Sequence, residues 1–381
     1  MNRVPHAALL LAVLCVSAAQ SGWSQPSNDP LPRRGWFGVA LGTNDAGNVI
    51  VTSVQPGTTA AEMGIEAGDA VRTVDGVAMQ TPADVIAAIG GTHRAGDRVT
   101  LEIARAGVER NLAATLKPFP AERVPGSDVE YGSVALESGV RLRTIVTVPT
   151  GISRPAPAVF ILQGGGCSSV DQPLAVPIGT VQTIHAIAAA GFVTLRVDKS
   201  GLGDSEGAPC ATIGYREELD GYRAALQALR AHAAVDRDRI FLVGISLGGV
   251  FAPILANETS VAGISAWGTI AFAPGPYPGR SERFFAEFAA VDVLAHWAKI
   301  DVPVQVLHGE YDEVSMREWS EMIVATINAA HPGRVEYREF PGLDHCSTRH
   351  ATREASIGRC GVGEFVAGPD DAVVAFLQAH S

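Results

Sequence analysis

Two rhythms of apolar positions divide the chain near residue 120. From Gly35 to about Lys117 the signals are short and strand-like: Val49-Ile50-Val51-Thr52-Ser53-Val54, Val71-Arg72-Thr73-Val74, and the alternating Val99-Thr100-Leu101-Glu102-Ile103. Asp75-Gly76 marks a hairpin turn, and Ala106-Gly107 marks another turn after the alternating run. Thr81-Pro82 predicts a helix start, with Thr81 as N-cap and Pro82 at the first helical position. Beyond Ser127 the rhythm changes. Strands are expected at Leu142–Val148, Ala158–Leu162, Phe192–Val197, Ile240–Val243, Gly263–Ala266, Val304–Leu307 and Val335–Phe340. Helix-period segments fall between and after them at Gly179–Ala190, Tyr215–Ala234, Ser315–Ala330 and Asp370–His380. Such alternation predicts an α/β fold, a mostly parallel sheet with helices on both faces, whose ligand site lies beyond the carboxyl ends of the strands.

One strand end carries chemistry. Ile240–Val243 runs into Gly244-Ile245-Ser246-Leu247-Gly248, and a helix follows. A serine lifted clear of a sheet needs a strained backbone, and glycines on either side let strand and helix approach closely. Ser246 is therefore the candidate nucleophile, and the Leu247 amide at the helix start is a candidate oxyanion donor. Asp312 follows the strand Val304–Leu307, and His345 follows Val335–Phe340. A serine nucleophile needs a base for its proton and an acid to hold that base in one tautomer. Glu310 and Glu313 flank Asp312 and are its rivals as the acid. His308 and His350 are the rivals of His345 as the base, and Asp344 reads as a turn residue.

Strand, G-x-S-x-G turn and helix, followed by Asp312 and then His345, resemble the α/β-hydrolase fold over residues 127–381. The resemblance implies a serine hydrolase working through an acyl-enzyme, with Ser246, Asp312 and His345 as its triad. Gln163-Gly164-Gly165-Gly166 resembles the family's His-Gly oxyanion loop, with Gln163 in the histidine's place. It implies a second oxyanion amide at Gly165, with Gly164 and Gly166 as alternatives. Asp198-Lys199-Ser200-Gly201-Leu202-Gly203-Asp204-Ser205 resembles a structural turn of the family, with Lys-Ser replacing the usual x-Arg. Between Pro274 and Ile300, Phe284, Phe285, Phe288 and Trp297, with Phe272 just before and Tyr277, form an aromatic insertion that reads either as a cap over the substrate or as core.

The N-terminal rhythm has its own resemblance. Pro56-Gly57-Thr58-Thr59-Ala60-Ala61-Glu62-Met63-Gly64-Ile65-Glu66-Ala67-Gly68-Asp69, followed by Val74-Asp75-Gly76, closely resembles a bacterial, protease-associated PDZ domain. The resemblance implies a groove that takes an extended peptide or C-terminus as an added strand. Amides around Phe37, Gly38 and Val39 would hold its carboxylate, and Val85, Ile86 and Ile89 would line it.

Arg3 and His6 precede the apolar run Ala7–Val16, and Ser17-Ala18-Ala19 offers small residues for cleavage, the layout of a secretory signal peptide. The organisation expected is a signal at 1–19, a flexible lead-in at 20–34, a PDZ domain at 35–117, a proline-punctuated linker at 118–126 and the hydrolase domain at 127–381. The location expected is periplasmic or secreted. Cys167, Cys210, Cys346 and Cys360 remain after signal removal. They allow three connectivities, of which Cys346–Cys360 with Cys167–Cys210 is favoured. A formal net charge of −11 without a basic run argues against nucleic-acid partners. No spacing of metal ligands and no phosphate loop occurs, so no cofactor or metal is expected. Substrates implied are carboxylic esters or, alternatively, peptides of the kind cut by prolyl-oligopeptidase-like enzymes. A third reading makes the chain a PDZ recruitment protein on a hydrolase-fold scaffold.

Overall fold

The computed structural model describes residues 29–91, 93–176, 178–276 and 279–381. The expected signal peptide and Tyr277 lie outside them. Eight strands form the large sheet: β1 (Ser127–Ala135), β2 (Arg141–Pro149), β3 (Ala156–Leu162), β4 (Val193–Val197), β5 (Val235–Ile245), β6 (Gly263–Trp267), β7 (Val304–Gly309) and β8 (Val335–Phe340). Their order is β8-β7-β6-β5-β3-β4-β2-β1, with β2 alone running opposite to the other seven. Central strands are apolar on both faces because helices cover both. One face packs Phe160, Leu195 and Ile240 under the helices Tyr215–Ala231 and Gly248–Glu258. The other packs Ile161, Phe241 and Val243 under Thr180–Ala189 and Gly368–His380.

Two elements depart from expectation. Strand β1 is unannounced because an edge strand reading Ser-Asp-Val-Glu-Tyr-Gly-Ser needs no continuous apolar run. Strand β5 begins at Val235, five residues before the apolar run, its register with β3 shifting between Ala156 and Ala158. The aromatic insertion is core: Phe284, Phe288 and Trp297 are fully buried, and Tyr215 stacks between Phe251 at 4.7 Å and Phe288 at 5.0 Å.

The N-terminal sheet orders Val39–Thr43, Val49–Val54, Ala70–Val74, Arg98–Arg105 and Val108–Thr115 side by side. Asp75-Gly76 and Ala106-Gly107 make two of its hairpins, with positive φ at all four residues, the geometry that matches strand twist. Thr81 caps the helix Pro82–Ile86 in a capping box with Asp84. Val39–Thr43 lies at the sheet edge, where an added strand could pair.

The described end of the lead-in is fastened rather than flexible, a correction to the sequence reading. Leu31 is buried, Arg33 bridges Asp171 and Asp204 at 2.9 and 2.7 Å, and the Arg34 amide donates to Asp204. Linker residue Glu122 pairs with buried Arg196 at 2.8 Å. Lead-in residue Arg33 is thus tied to the same aspartates that hold buried Arg143.

Both favoured disulfides form, Cys167–Cys210 and Cys346–Cys360. Closing the short loop restricts the unfolded chain, so the Cys346→Ser/Cys360→Ser double variant should lose about 3 kcal/mol in urea unfolding.

Candidate active site

The turn after β5 is as tight as its glycines demand. Ser246 sits at φ 54°, a left-handed conformation that a side chain rarely adopts. A Cβ on Gly244 would lie 2.6 Å from the Gly249 nitrogen, one on Gly248 would strike the Leu162 carbonyl, and one on Gly249 the Thr269 hydroxyl. Each glycine therefore lets strand, turn and helix close on one another. The Ser246 amide donates to the Trp267 carbonyl at 2.8 Å, and no turn or loop acceptor takes the Leu247 amide among the described residues.

Asp312 and His345 meet beside this turn. His345 Nδ1 lies 2.7 Å from Asp312 Oδ2. Asp312 also accepts from the Val314 and Ser315 amides at 2.8 Å and from the Ser315 hydroxyl at 2.7 Å. Burial alone would raise the Asp312 pKa, but the bonds from His345 and Ser315 outweigh it and hold the carboxyl below its ordinary value. The pair occupies the space where Gly268 has no side chain, since a Cβ there would fall 2.8 Å from His345 Nδ1 and 3.0 Å from Asp312 Oδ2. Trp267 joins the two halves: its carbonyl holds Ser246, and its Nε1 donates to the His345 carbonyl at 2.8 Å.

The rival residues have other work. His308 is buried, 3.5 Å from the Ser320 hydroxyl, and burial pushes its pKa down. His350 contacts Asp344 at 2.8 Å, and Asp344 caps the turn through the Cys346 and Thr348 amides. Glu310 accepts from the Gly342 amide and Glu313 from the Gly358 amide.

The glycine loop abuts Ser246, for a Cβ on Gly164 would lie 3.3 Å from Ser246 Cβ. Gln163 stays in place by donating to the Val197 carbonyl at 3.2 Å. What aims this loop was not legible in the sequence. Lys199 Nζ donates to the Gly164 carbonyl at 2.6 Å, to the Gly166 carbonyl at 3.0 Å, and pairs with Glu218 at 3.0 Å, using all three of its donors. Arg280 holds the Gly165 carbonyl at 3.1 Å and pairs with the same Glu218. Three successive carbonyls are thus fixed, and in a planar trans peptide each fixes the following amide in the opposite direction. The Gly165 amide belongs to the plane anchored through Gly164. Cys167, next along the loop, is tied to Cys210, whose sulfur lies 3.7 Å from Arg280. Lys199, Glu218 and Arg280 are all buried, and burial lowers the Lys199 pKa against the opposing pull of Glu218. The only sequence signal was the Lys-Ser departure in the turn after β4.

In the N-terminal domain Phe37, Val85 and Ile89 belong to the hydrophobic core, whereas Ile86 is exposed and Val39 half-buried. Val85 and Ile89, expected to line the groove, are buried in the same cluster as Val71 and Leu101. Gly38 has φ 80°, and a Cβ there would collide with Thr58.

Comparison with known proteins agrees with this division. The PDZ domain family matches residues 35–116, and the X-Pro dipeptidyl-peptidase (S15 family) matches residues 138–272. Fold and matches together define a domain of α/β-hydrolase fold, matched in part by the X-Pro dipeptidyl-peptidase (S15) family, preceded by a domain matched by the PDZ family. Over 89 residues the chain is 35% identical to a Brucella suis protein named "Putative zinc metalloprotease", an alignment covering 23% of each chain. It thus spans about a quarter of the length of the curated relatives it matches. An esterase of Pyrococcus furiosus superposes with a TM-score of 0.50 at 17% identity, covering 69% of this chain and 95% of that one. Est1E of Butyrivibrio proteoclasticus, in a structure with ferulic acid bound, superposes with a TM-score of 0.50 at 18% identity, covering 65% and 98%. At such identities the likeness concerns the fold.

Proposed function

We propose that this protein is an extracytoplasmic serine hydrolase that cleaves carboxylic esters through an acyl-enzyme. The observation that carries the reading is the buried, fully hydrogen-bonded Asp312 carboxylate 2.7 Å from His345 Nδ1, beside a strained serine turn. In this account the Asp312 contact leaves His345 Nε2 free to take the Ser246 proton as the hydroxyl attacks the ester carbonyl. The Leu247 and Gly165 amides stabilise the oxyanion. His345 then returns the proton to the leaving alcohol, and water repeats the sequence to release the acid. Two disulfides accord with an oxidising compartment, and no described helix is long and apolar enough to cross a membrane. The test is stopped-flow hydrolysis of p-nitrophenyl acetate: a burst equal to the enzyme concentration is expected, absent in Ser246→Ala. A wild-type progress curve without turnover contradicts the reading.

A second reading, peptide cleavage, is favoured by the match of residues 138–272 to the X-Pro dipeptidyl-peptidase family. A panel pairing each acyl ester with its anilide separates the two, since a peptidase turns over both and an esterase discriminates by orders of magnitude.

The PDZ domain is proposed to capture peptide C-termini along its open Val39–Thr43 edge, with amides of the Phe37–Val39 turn receiving the carboxylate. Fluorescence anisotropy with the full chain should show saturable binding that is lost when the peptide is C-terminally amidated. Equal binding of both forms removes carboxylate recognition.

A further inference from the structure

Among the described residues of the larger domain nine large apolar side chains stand exposed, and eight of them gather at one end of the sheet. Strands β3, β5, β6, β7 and β8 run parallel, so the loops that follow them leave the same edge. Leu174, Val176 and Ile178 lie in the loop after β3, Phe272 in the loop after β6, and Val314 and Met316 in the loop after β7. The loop after β8 carries two more. The exception, Met322, sits on the helix Arg317–Ala330. Exposed apolar residues scattered singly are ordinary, but a set gathered in one place marks a surface that meets an apolar partner.

The same four loops hold the candidate catalytic groups. The loop after β3 begins with the glycines beside Ser246. The loop after β6 starts at Gly268, against His345 and Asp312, and ends where Arg280 holds the Gly165 carbonyl at 3.1 Å. Val314 donates its amide to Asp312, and the loop after β8 carries His345 itself. The apolar side chains therefore form a rim around the candidate site. The six named are 46% to 70% exposed, too open to be the walls of a closed pocket.

Charge and position narrow the partner. Residues 268–279 contain no charged side chain, and the one in 163–179, Asp171, is buried. The chain as a whole carries −11, which repels an anionic surface. Uncharged apolar loops on an acidic protein match an uncharged apolar phase. A protein partner settled on the rim would cover Ser246, whereas a substrate phase covers it and is consumed there.

We propose that this rim docks the protein on the surface of an aggregated, uncharged, water-insoluble ester, so that substrate enters from a lipid-like phase. That the phase is a substrate rests on the serine-hydrolase reading; that the rim binds an uncharged apolar phase does not.

The kinetic test follows the full chain on tributanoylglycerol as its concentration passes the solubility limit, each rate divided by the p-nitrophenyl acetate burst. The rate should step up by about tenfold or more where droplets appear, as burial of a few apolar side chains provides. In the Leu174→Ser/Val176→Ser/Ile178→Ser variant the step should disappear. Should that variant give no burst, Phe272→Ser is read in its place, with a smaller step expected. A wild-type rate that saturates without a step, or a step undiminished in the variant read, overturns the rim. If the wild type gives neither burst nor turnover, the hydrolase reading fails and binding decides. The full chain should then float with trioctanoylglycerol droplets in a density gradient at low and high salt alike, while the triple variant stays in the aqueous layer. No flotation of the wild type, or flotation lost at high salt as for a charged contact, overturns the docking surface. A wild type that sediments as a dimer beside a monomeric triple variant assigns the rim to a second copy and overturns it too.

Discussion

Asp312→Asn should lower kcat for p-nitrophenyl acetate by about 10⁴-fold while leaving the melting temperature close to that of the wild type. The carboxylate sits 2.7 Å from His345 Nδ1 and takes three further bonds from Val314 and Ser315. An amide in its place would keep the shape but offer an N–H to Nδ1, turning the imidazole to the tautomer that cannot accept the serine proton. Initial rates and thermal melts on the same preparation separate lost chemistry from lost fold. The folded-state pKa of Asp312 lies below its ordinary value. A carboxyl depressed in this way contributes stability above its unfolded pKa and loses it as pH falls through the folded value. Asp312 is therefore ionised throughout the neutral and mildly acidic range. The acid limb of activity should not be set by Asp312, and a pH–rate profile should show no kcat inflection in the ordinary aspartate range near 4.

Lys199→Met carries the second large effect. The ammonium is the common anchor of the Gly164 and Gly166 carbonyls and a partner of Glu218. Its loss frees the peptide plane that carries the Gly165 amide. It also leaves Glu218 with Arg280 and the Tyr222 hydroxyl, and breaking such a buried pair costs about 3 kcal/mol. The expected kinetic signature is a fall in kcat approaching the ~10²-fold effect of a missing oxyanion donor, with KM little changed. A residue that merely supported the fold would lower the amount of active enzyme, so active-site titration separates the cases. Unchanged kcat per titrated site contradicts a brace on the oxyanion loop. The Cys167–Cys210 bridge reaches the same loop, so its removal should move kcat in the same direction.

These two residues mark where the sequence was legible and where it was not. Asp312, like Ser246 and His345, stands at the end of an apolar run, and the order of strand ends on a parallel sheet is written in the chain. The elbow was legible because only glycine fits at 244, 248 and 249, and that steric demand shows directly as sequence. Lys199 and Arg280 were not, because a charged residue in a sequence ordinarily signals solvent. Their burial depends on Glu218, brought to both by tertiary folding. Strand β1 escaped for a related reason: its pairing with β2, not its own apolarity, makes it a strand. The aromatic insertion was open to two readings because a cap and a core use the same residues, and only the stacking of Phe288 on Tyr215 decides for the core. Val85 and Ile89 admit two readings because an inward-facing position and a groove-facing one both call for an apolar side chain.

The central claim is that Ser246 is an activated nucleophile. Its most direct measurement is intact-mass analysis of the disulfide-bonded protein after exposure to a fluorophosphonate, wild type beside Ser246→Ala. The account predicts one phosphonyl adduct on the wild type, mapped to the Gly244–Gly248 turn, and none on the variant. A folded wild type that acquires no adduct, or a Ser246→Ala protein labelled as readily, would contradict it.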